Sequence, residues 1–236
     1  MRKDTTDRKF YFSLSERCRI NGLKNSNYVE FDIENNNCDH FLKGFWILEK
    51  NLAESVGRFD ATQKAIVLSN YISVMYGKYT RPSLMGISKD NKDGTWRVSN
   101  SVRIKYLHIK ELDFDLNDPQ LSSVFSDQDK NIKYEHASRG IKAAQEEDPV
   151  TMIKEFYQVI ENSEPPHLVR FKFLRHILSH KGPIHTRTIK DLERGFGNGY
   201  FTFTLNNDFD YTSPTNIEHL GQQARILQNE VLAMLQ

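Results

Sequence analysis

Stretches of period two and stretches of helical period alternate over the first 120 or so residues, and a period of three to four dominates from Asp127 onward. Phe10-Tyr11-Phe12-Ser13-Leu14 reads as a strand, and Tyr28 to Ile33 alternates cleanly, with Val29, Phe31 and Ile33 on one face. Asn35-Asn36-Asn37 marks a turn. Asp39 then caps a predicted helix whose wide buried stripe is Phe41, Leu42, Phe45, Trp46, Leu48, Leu52 and Val56. A second helix is predicted from Asp60, with Gln63 completing a capping box, through Ile66, Val67, Tyr71 and Val74. Pro82, Gly86 and the Asn91-Lys92-Asp93-Gly94 turn break the next stretch. Strand alternation returns from Thr95 to Leu116, with Val102, Ile104 and Tyr106, then Leu112, Phe114 and Leu116. Asp118-Pro119 reads as a boundary.

From Asp127 the helical period dominates. The first helix, Asp127 to Glu147, is highly charged, with a thin stripe at Ile132, Ala137, Ile141 and Ala144 and a weak point at Gly140. Asp148-Pro149 opens the next, which carries Val150, Ile153, Phe156, Tyr157 and Ile160 on one side. A third helix is predicted over 166–181, with Pro166 in its first turn and Gly182-Pro183 after its end. Phe196 to Asp210 reads as an insert in which Tyr200 to Leu205 forms a strand or hairpin arm. Its glycines resemble a phosphate loop, but Gly195-Phe196-Gly197-Asn198-Gly199 lacks a Lys-Ser/Thr ending and precedes a strand, which excludes one. Thr215-Asn216-Ile217-Glu218 is a capping box, followed by the seam Ile217, Leu220, Ala224, Leu227, Val231 and Met234. The fold class is therefore α+β: a mixed sheet and helix domain over 1–120, of unknown role, then a bundle of four to five helices over 125–236.

Composition narrows the function classes. The chain has 236 residues, 38% of them hydrophobic, and no apolar run approaches the ~20 residues of a membrane span. The first residues hold no apolar core of a signal peptide, so a cytoplasmic protein is expected, with no membrane partner. Cys18 and Cys38 are too few for a disulfide framework or a thiolate zinc site. The net charge of +1 excludes a general polycation. Charge is nonetheless uneven: from Arg170 to Arg194 seven Lys/Arg stand against two Asp/Glu, with three histidines. His40 and His108 are lone histidines and read as structural or exposed.

The 166–181 helix carries the candidate chemistry. Phe171, Phe173, Leu174, Ile177 and Leu178 fill one arc, and Lys172, Arg175, His176, Ser179 and His180 fill the rest. Cleaving RNA needs a base for the 2′-hydroxyl, an acid for the leaving oxygen and cationic donors for the phosphate. Histidine does either proton transfer near neutrality, and the guanidinium fork matches phosphate oxygens. Arg175 and His180 lie about 140° apart around a helix, so they flank a site rather than touch. Arg170, Lys172, Lys181, Arg187, Lys190 and Arg194 offer a phosphate-tracking surface, while Tyr200, Phe201 and Phe203 read as core more than as a base-stacking platform. The rival chemistry is a zinc site of His176, His180 and His185, which lacks the Glu of a His-Glu-x-x-His helix.

Arg175-His176-Ile177-Leu178-Ser179-His180 resembles the Arg-polar-x-x-x-His signature of the HEPN superfamily. The resemblance covers the C-terminal half alone. It implies a HEPN-like helical bundle that pairs into a homodimer, two motif helices lining one cleft, and RNA as the partner. It further implies a ribonuclease that needs no metal and no cofactor. Carried over by position, Arg175 binds and polarises the phosphate, His180 is general acid or base, and His176 orients the site. Arg170, Lys172 and Lys181 are the implied RNA contacts. Many HEPN-like bundles bind RNA or a partner without cutting, and that is the alternative. The chain as a whole also has a looser resemblance to methylamine-utilisation MauJ-type proteins, which carries no residue roles.

Overall fold

The computed structural model describes residues 6–20, 29–36, 39–90, 96–99, 109–112, 123–163, 165–180 and 182–235. The side chains of Cys18 and His40, and the whole of Cys38, His108 and Lys181, lie outside the described residues. So do the Asn91–Gly94 turn, the alternating positions Val102, Ile104, Tyr106, Phe114 and Leu116, and Asp118-Pro119. The architecture is α+β: an N-terminal, largely antiparallel sheet and a C-terminal helical region. The chain divides into two units at Asn131/Ile132, later than the boundary at 120–125 that composition suggests.

In the first unit, β1 (Thr6–Ile20), β2 (Val29–Asn36), β3 (Asp39–Leu52), β4 (Pro82–Asp90) and β5 (Trp96–Ser99) form the antiparallel path β2-β3-β1-β4-β5. A sixth strand, β6 (Ile109–Leu112), pairs parallel with the end of β1. Period-two burial puts Phe10, Phe12 and Leu14 of β1 and Phe45 and Ile47 of β3 on one face, under α1 (Glu54–Tyr76). The helix answers with Ala61, Ala65, Leu68, Ile72 and Tyr76 at helical spacing. Each buried phenylalanine there stabilises the fold by roughly 1.5–3 kcal/mol. The opposite face is mixed: the Tyr11 and Trp46 ring centroids are 4.9 Å apart, and the Tyr11 hydroxyl donates to Asp32 at 2.6 Å.

Several expectations fail here. The segment Phe41 to Leu52 is a strand, not a helix capped by Asp39; its partners on both sides are β1 and β2. On the face away from α1 the strand carries the half-buried Trp46 and Leu48, so apolar residues fall on both faces and the alternation that would have announced it is lost. Gly44 supplies the missing reason: a Cβ there would sit 2.3 Å from the Phe12 carbonyl oxygen of the neighbouring strand. Asn35 and Asn36 accordingly belong to β2 rather than to a turn. The second predicted helix also starts six residues early, at Glu54, with no side-chain cap from Ala53. Asp60 lies inside it, so tertiary packing on the sheet outweighs the apparent capping box.

The second unit contains most of α2 (Gln128–Gln145), then α3 (Pro149–Ile160), a 3-10 turn (Pro166–Leu168), α4 (Arg170–Ser179), α5 (Thr186–Phe196) and α6 (Pro214–Leu235). The α3 helix is the hub, packed against α4 and α6, and α4 packs on α5. Asp148 accepts from the Thr151 N–H at 3.0 Å and Pro149 occupies the first turn, as expected. Ile153, Phe156, Tyr157 and Ile160 are buried. Gly140 has a packing reason, since a Cβ there would lie 2.8 Å from ring carbons of Phe156. On α6 the inner seam positions Leu220, Ala224, Leu227 and Val231 are buried, while Ile217 and Met234 at its ends are exposed.

Three further corrections concern this unit. The third helix does not begin at Pro166: the two prolines give a 3-10 turn, and the α-helix opens at Arg170. It also ends before His180, whose backbone is extended. Thr215 is not the cap of α6; the helix starts at Pro214, and the Ser213 hydroxyl accepts from the Asn216 N–H at 3.4 Å. Tyr200 to Leu205 forms no continuous strand; within the loop 197–213 it is one arm of a short irregular hairpin, with an antiparallel bridge between Phe203 and Phe209 and a Thr204 N–H that donates to the Asp208 carbonyl at 2.9 Å. Asn216, fully buried, fastens the base of this hairpin. Its oxygen accepts from the Thr202 N–H and its amide donates to the carbonyls of Thr202 and Asp210, each at 2.8 Å.

Candidate functional site

The α4 helix turns Phe171, Leu174, Ile177 and Leu178 into the core. What remains outside is the polar set. Lys172, His176, Ser179 and His180 are exposed and Arg175 is half-buried. Because His180 is the first residue beyond the helix, its ring folds back over the last turn and meets His176. The two ring centroids are 5.0 Å apart with planes at 68°, an edge-to-face contact. The His180 N–H donates to the Ile177 carbonyl at 3.1 Å, and the Ser179 hydroxyl donates to the Arg175 carbonyl at 2.8 Å, so two carbonyls near the helix end are satisfied.

Arg175 leans the other way, toward α3. Its guanidinium is 3.5 Å from the Glu161 carboxylate and lies 5.8 Å from the centroid of the Tyr157 ring. About a third of the side chain remains open to solvent (35%). The guanidinium and the imidazoles thus stay accessible within one copy. Arg170 stands apart from them, its guanidinium over Phe171 at 5.2 Å and Phe196 at 5.3 Å. It lines a separate groove of about 420 Å³ with His167, Phe173, Asp191 and Arg194. Arg187, Lys190 and Arg194 are exposed along one stripe of α5, and Arg194 pairs with Asp191 at 2.9 Å.

The aromatic insert is packed rather than presented. Tyr200 stacks on His219 at 3.9 Å and on Phe196 at 5.8 Å, and its hydroxyl accepts from the Gln223 amide at 2.9 Å. Phe201 is buried. The third histidine of the zinc alternative is also used otherwise: the His185 ring accepts from the Arg187 N–H at 3.3 Å, as the N-cap of α5. Among the described residues no three His, Cys, Asp or Glu side chains converge on a metal position.

A second cavity near this helix escapes sequence reasoning. Behind His180 a cleft of about 380 Å³ is lined by Lys154 of α3, Ile177 and Leu178 of α4, and Asp208, Phe209 and Tyr211 of the loop. The Tyr211 hydroxyl donates to the Leu178 carbonyl at 3.5 Å, and burial pushes its pKa above the ordinary phenol value. Lys154 sits between Ile153 and Phe156 on a helix read as core, and Asp208 and Tyr211 arrive from more than fifty residues along the chain. No spacing in the sequence links them.

No helix among the described residues is long and apolar enough to cross a membrane. No protein-family model, curated protein or solved structure matches this chain.

Proposed function

We propose that the second unit is a HEPN-like bundle that cleaves RNA phosphodiesters without a metal, in a site completed by a second copy of the chain. The contact between the exposed rings of His176 and His180 carries this reading. Two imidazoles on one solvent-facing surface provide one base and one acid. One takes the proton of the ribose 2′-hydroxyl as its oxygen attacks phosphorus. The bond from phosphorus to the 5′-oxygen breaks, and the other, as imidazolium, gives that oxygen its proton. The products are a 2′,3′-cyclic phosphate and a free 5′-hydroxyl. Arg175 places a planar donor fork where charge develops on the non-bridging oxygens. It lies to one side of the histidines, and pairing two α4 ends brings the partner's fork to the phosphate. Lys172, Lys181, Arg170 and the α5 stripe then track the flanking strand.

Single-stranded RNA incubated with the purified protein in EDTA tests this. Cleavage that disappears in Arg175→Ala and His180→Ala is expected; intact RNA at high protein concentration overturns the catalytic reading. One observation favours a second reading, an RNA- or partner-binding module without turnover. Arg175 already has an anionic partner in Glu161, which would hold it out of a reaction. RNA bound but uncut by the unaltered chain selects that alternative.

A further inference from the structure

We propose that the cleft behind His180 is a subsite for a single nucleotide, with the phosphate on Lys154 and His180 and the base between Tyr211 and Asp208. This deepens the ribonuclease reading and rests on it for the identity of the ligand. The volume of about 380 Å³ falls in the ~300–1,000 Å³ range of small-molecule sites, room for one nucleotide and not for a longer segment. Its walls are apolar where Ile177, Leu178 and Phe209 meet, with a few polar groups converging on them.

Those polar groups are unspent. Lys154 and Asp208 are half-buried in the same cleft, yet neither side chain is engaged by an ion pair or hydrogen bond among the described residues. An ammonium and a carboxylate that share a cleft without neutralising each other suit a ligand carrying both an anion and an N–H edge. A nucleoside monophosphate is such a ligand. Guanine matches best, because its ring N–H and exocyclic amine present two adjacent donors to the two oxygens of Asp208, whereas uracil presents one. Tyr211 adds the stacking surface: its ring stands edge-on to Phe209 at 4.9 Å, held at the hydroxyl end by Leu178, and remains about half exposed (47%). His180 lines the cleft and also touches His176, so a nucleotide seated here sets its phosphate beside the proton-transfer pair.

Calorimetric titration of the full chain with guanosine 3′-monophosphate tests the subsite without requiring turnover. Saturable binding is expected, weakened by about tenfold or more in Lys154→Gln and in Asp208→Asn, each of which removes one charge-assisted hydrogen bond. Tyr211→Phe retains binding and Tyr211→Ala loses it. Uridine 3′-monophosphate binds more weakly, and guanosine without phosphate is insensitive to Lys154→Gln. Circular dichroism identical to the unaltered chain shows that a variant is folded. No binding in the millimolar range, or undiminished binding by both charge variants, overturns the subsite. RNA cleavage measured in parallel separates the two readings. Binding without cleavage removes the ribonuclease and keeps the subsite; cleavage without mononucleotide binding does the reverse.

Discussion

The imidazole of His176 meets that of His180 edge to face, 5.0 Å between centroids, because the chain leaves the helix one residue before the second ring. A continued helix would also place them on one face, but the extended backbone at His180 sets its ring against His176 and at the edge of the cleft together. If the pair transfers the two protons, His176→Ala and His180→Ala each lower kcat by about 10²–10⁴-fold. Arg175→Lys restores only part of what Arg175→Ala loses, since an ammonium cannot reproduce the fork. Single-turnover cleavage of a defined oligonucleotide checks all three.

The pairing of Arg175 with Glu161 makes a distinct prediction. Both side chains are more than a third exposed, so Glu161→Gln shifts stability by less than about 1 kcal/mol. It also releases the guanidinium, so RNA binding tightens, seen as a lower Kd in a filter-binding titration at fixed salt.

Gly140→Ala is expected to destabilise the second unit although alanine is the better helix former. The added methyl would lie 2.8 Å from ring carbons of Phe156, a residue with no exposed surface and no room to retreat. Overpacking of this kind costs about 1–3 kcal/mol, more than the ~1 kcal/mol that helix propensity returns. Urea unfolding reads the difference as a lower midpoint.

Asn216→Ala removes three hydrogen bonds at once and leaves the Thr202 N–H and two carbonyls without their partner. A loss of about 2–4 kcal/mol follows from stranding buried polar groups. Asn216→Asp keeps the acceptor but turns a carboxylate oxygen toward the two carbonyls in a fully buried place, so it costs at least as much as Asn216→Ala. Chemical denaturation ranks the variants, and hydrogen exchange at Thr202 reports the loop itself.

The same loop carries a pH signature. The Thr212 hydroxyl, and after it the Thr212 N–H, donate to the Asp210 carboxylate at 2.7 and 2.9 Å and hold its pKa below the ordinary carboxylate value. A carboxylate depressed in the folded state contributes stability that is present above its unfolded pKa and is lost as pH falls through the folded value. The window therefore lies in the acid range, below about pH 4. Thr212→Val removes the hydroxyl and leaves the N–H, so a carbon-detected titration of Asp210 shows its pKa rise part of the way back.

Period and punctuation in the sequence reveal the α+β division, the strands around Phe12 and Phe31, the Asp148-Pro149 start and the seam of α6. They fail where tertiary contacts decide. The β3 strand carries apolar residues on both faces, Phe45 and Ile47 under α1 and the half-buried Trp46 and Leu48 opposite, so they show no alternation and pass for a helix stripe. Gly140 reads as a weak point when it is a contact surface. The loop after α5 has strand-like residues, but its pairing is limited to one bridge, and its base is held by the side chain of Asn216. The polar set from Arg175 to His180 is legible because it is contiguous in the chain. Lys154, Asp208 and Tyr211 are brought to it by the fold, and no local pattern announces residues that meet only in space.

Both arms of the 197–213 segment are fastened at their base by one buried amide, while Leu205 at the far end stands wholly in solvent. Leu205 and Asn206 project beyond the backbone bonds that join Thr204 to Asp208 and the Ile184 N–H to the Asn207 carbonyl. Extra residues spliced between Leu205 and Asn206 would leave the clasp untouched, which makes that point a place to graft an affinity peptide or a dye and tether the molecule to a surface.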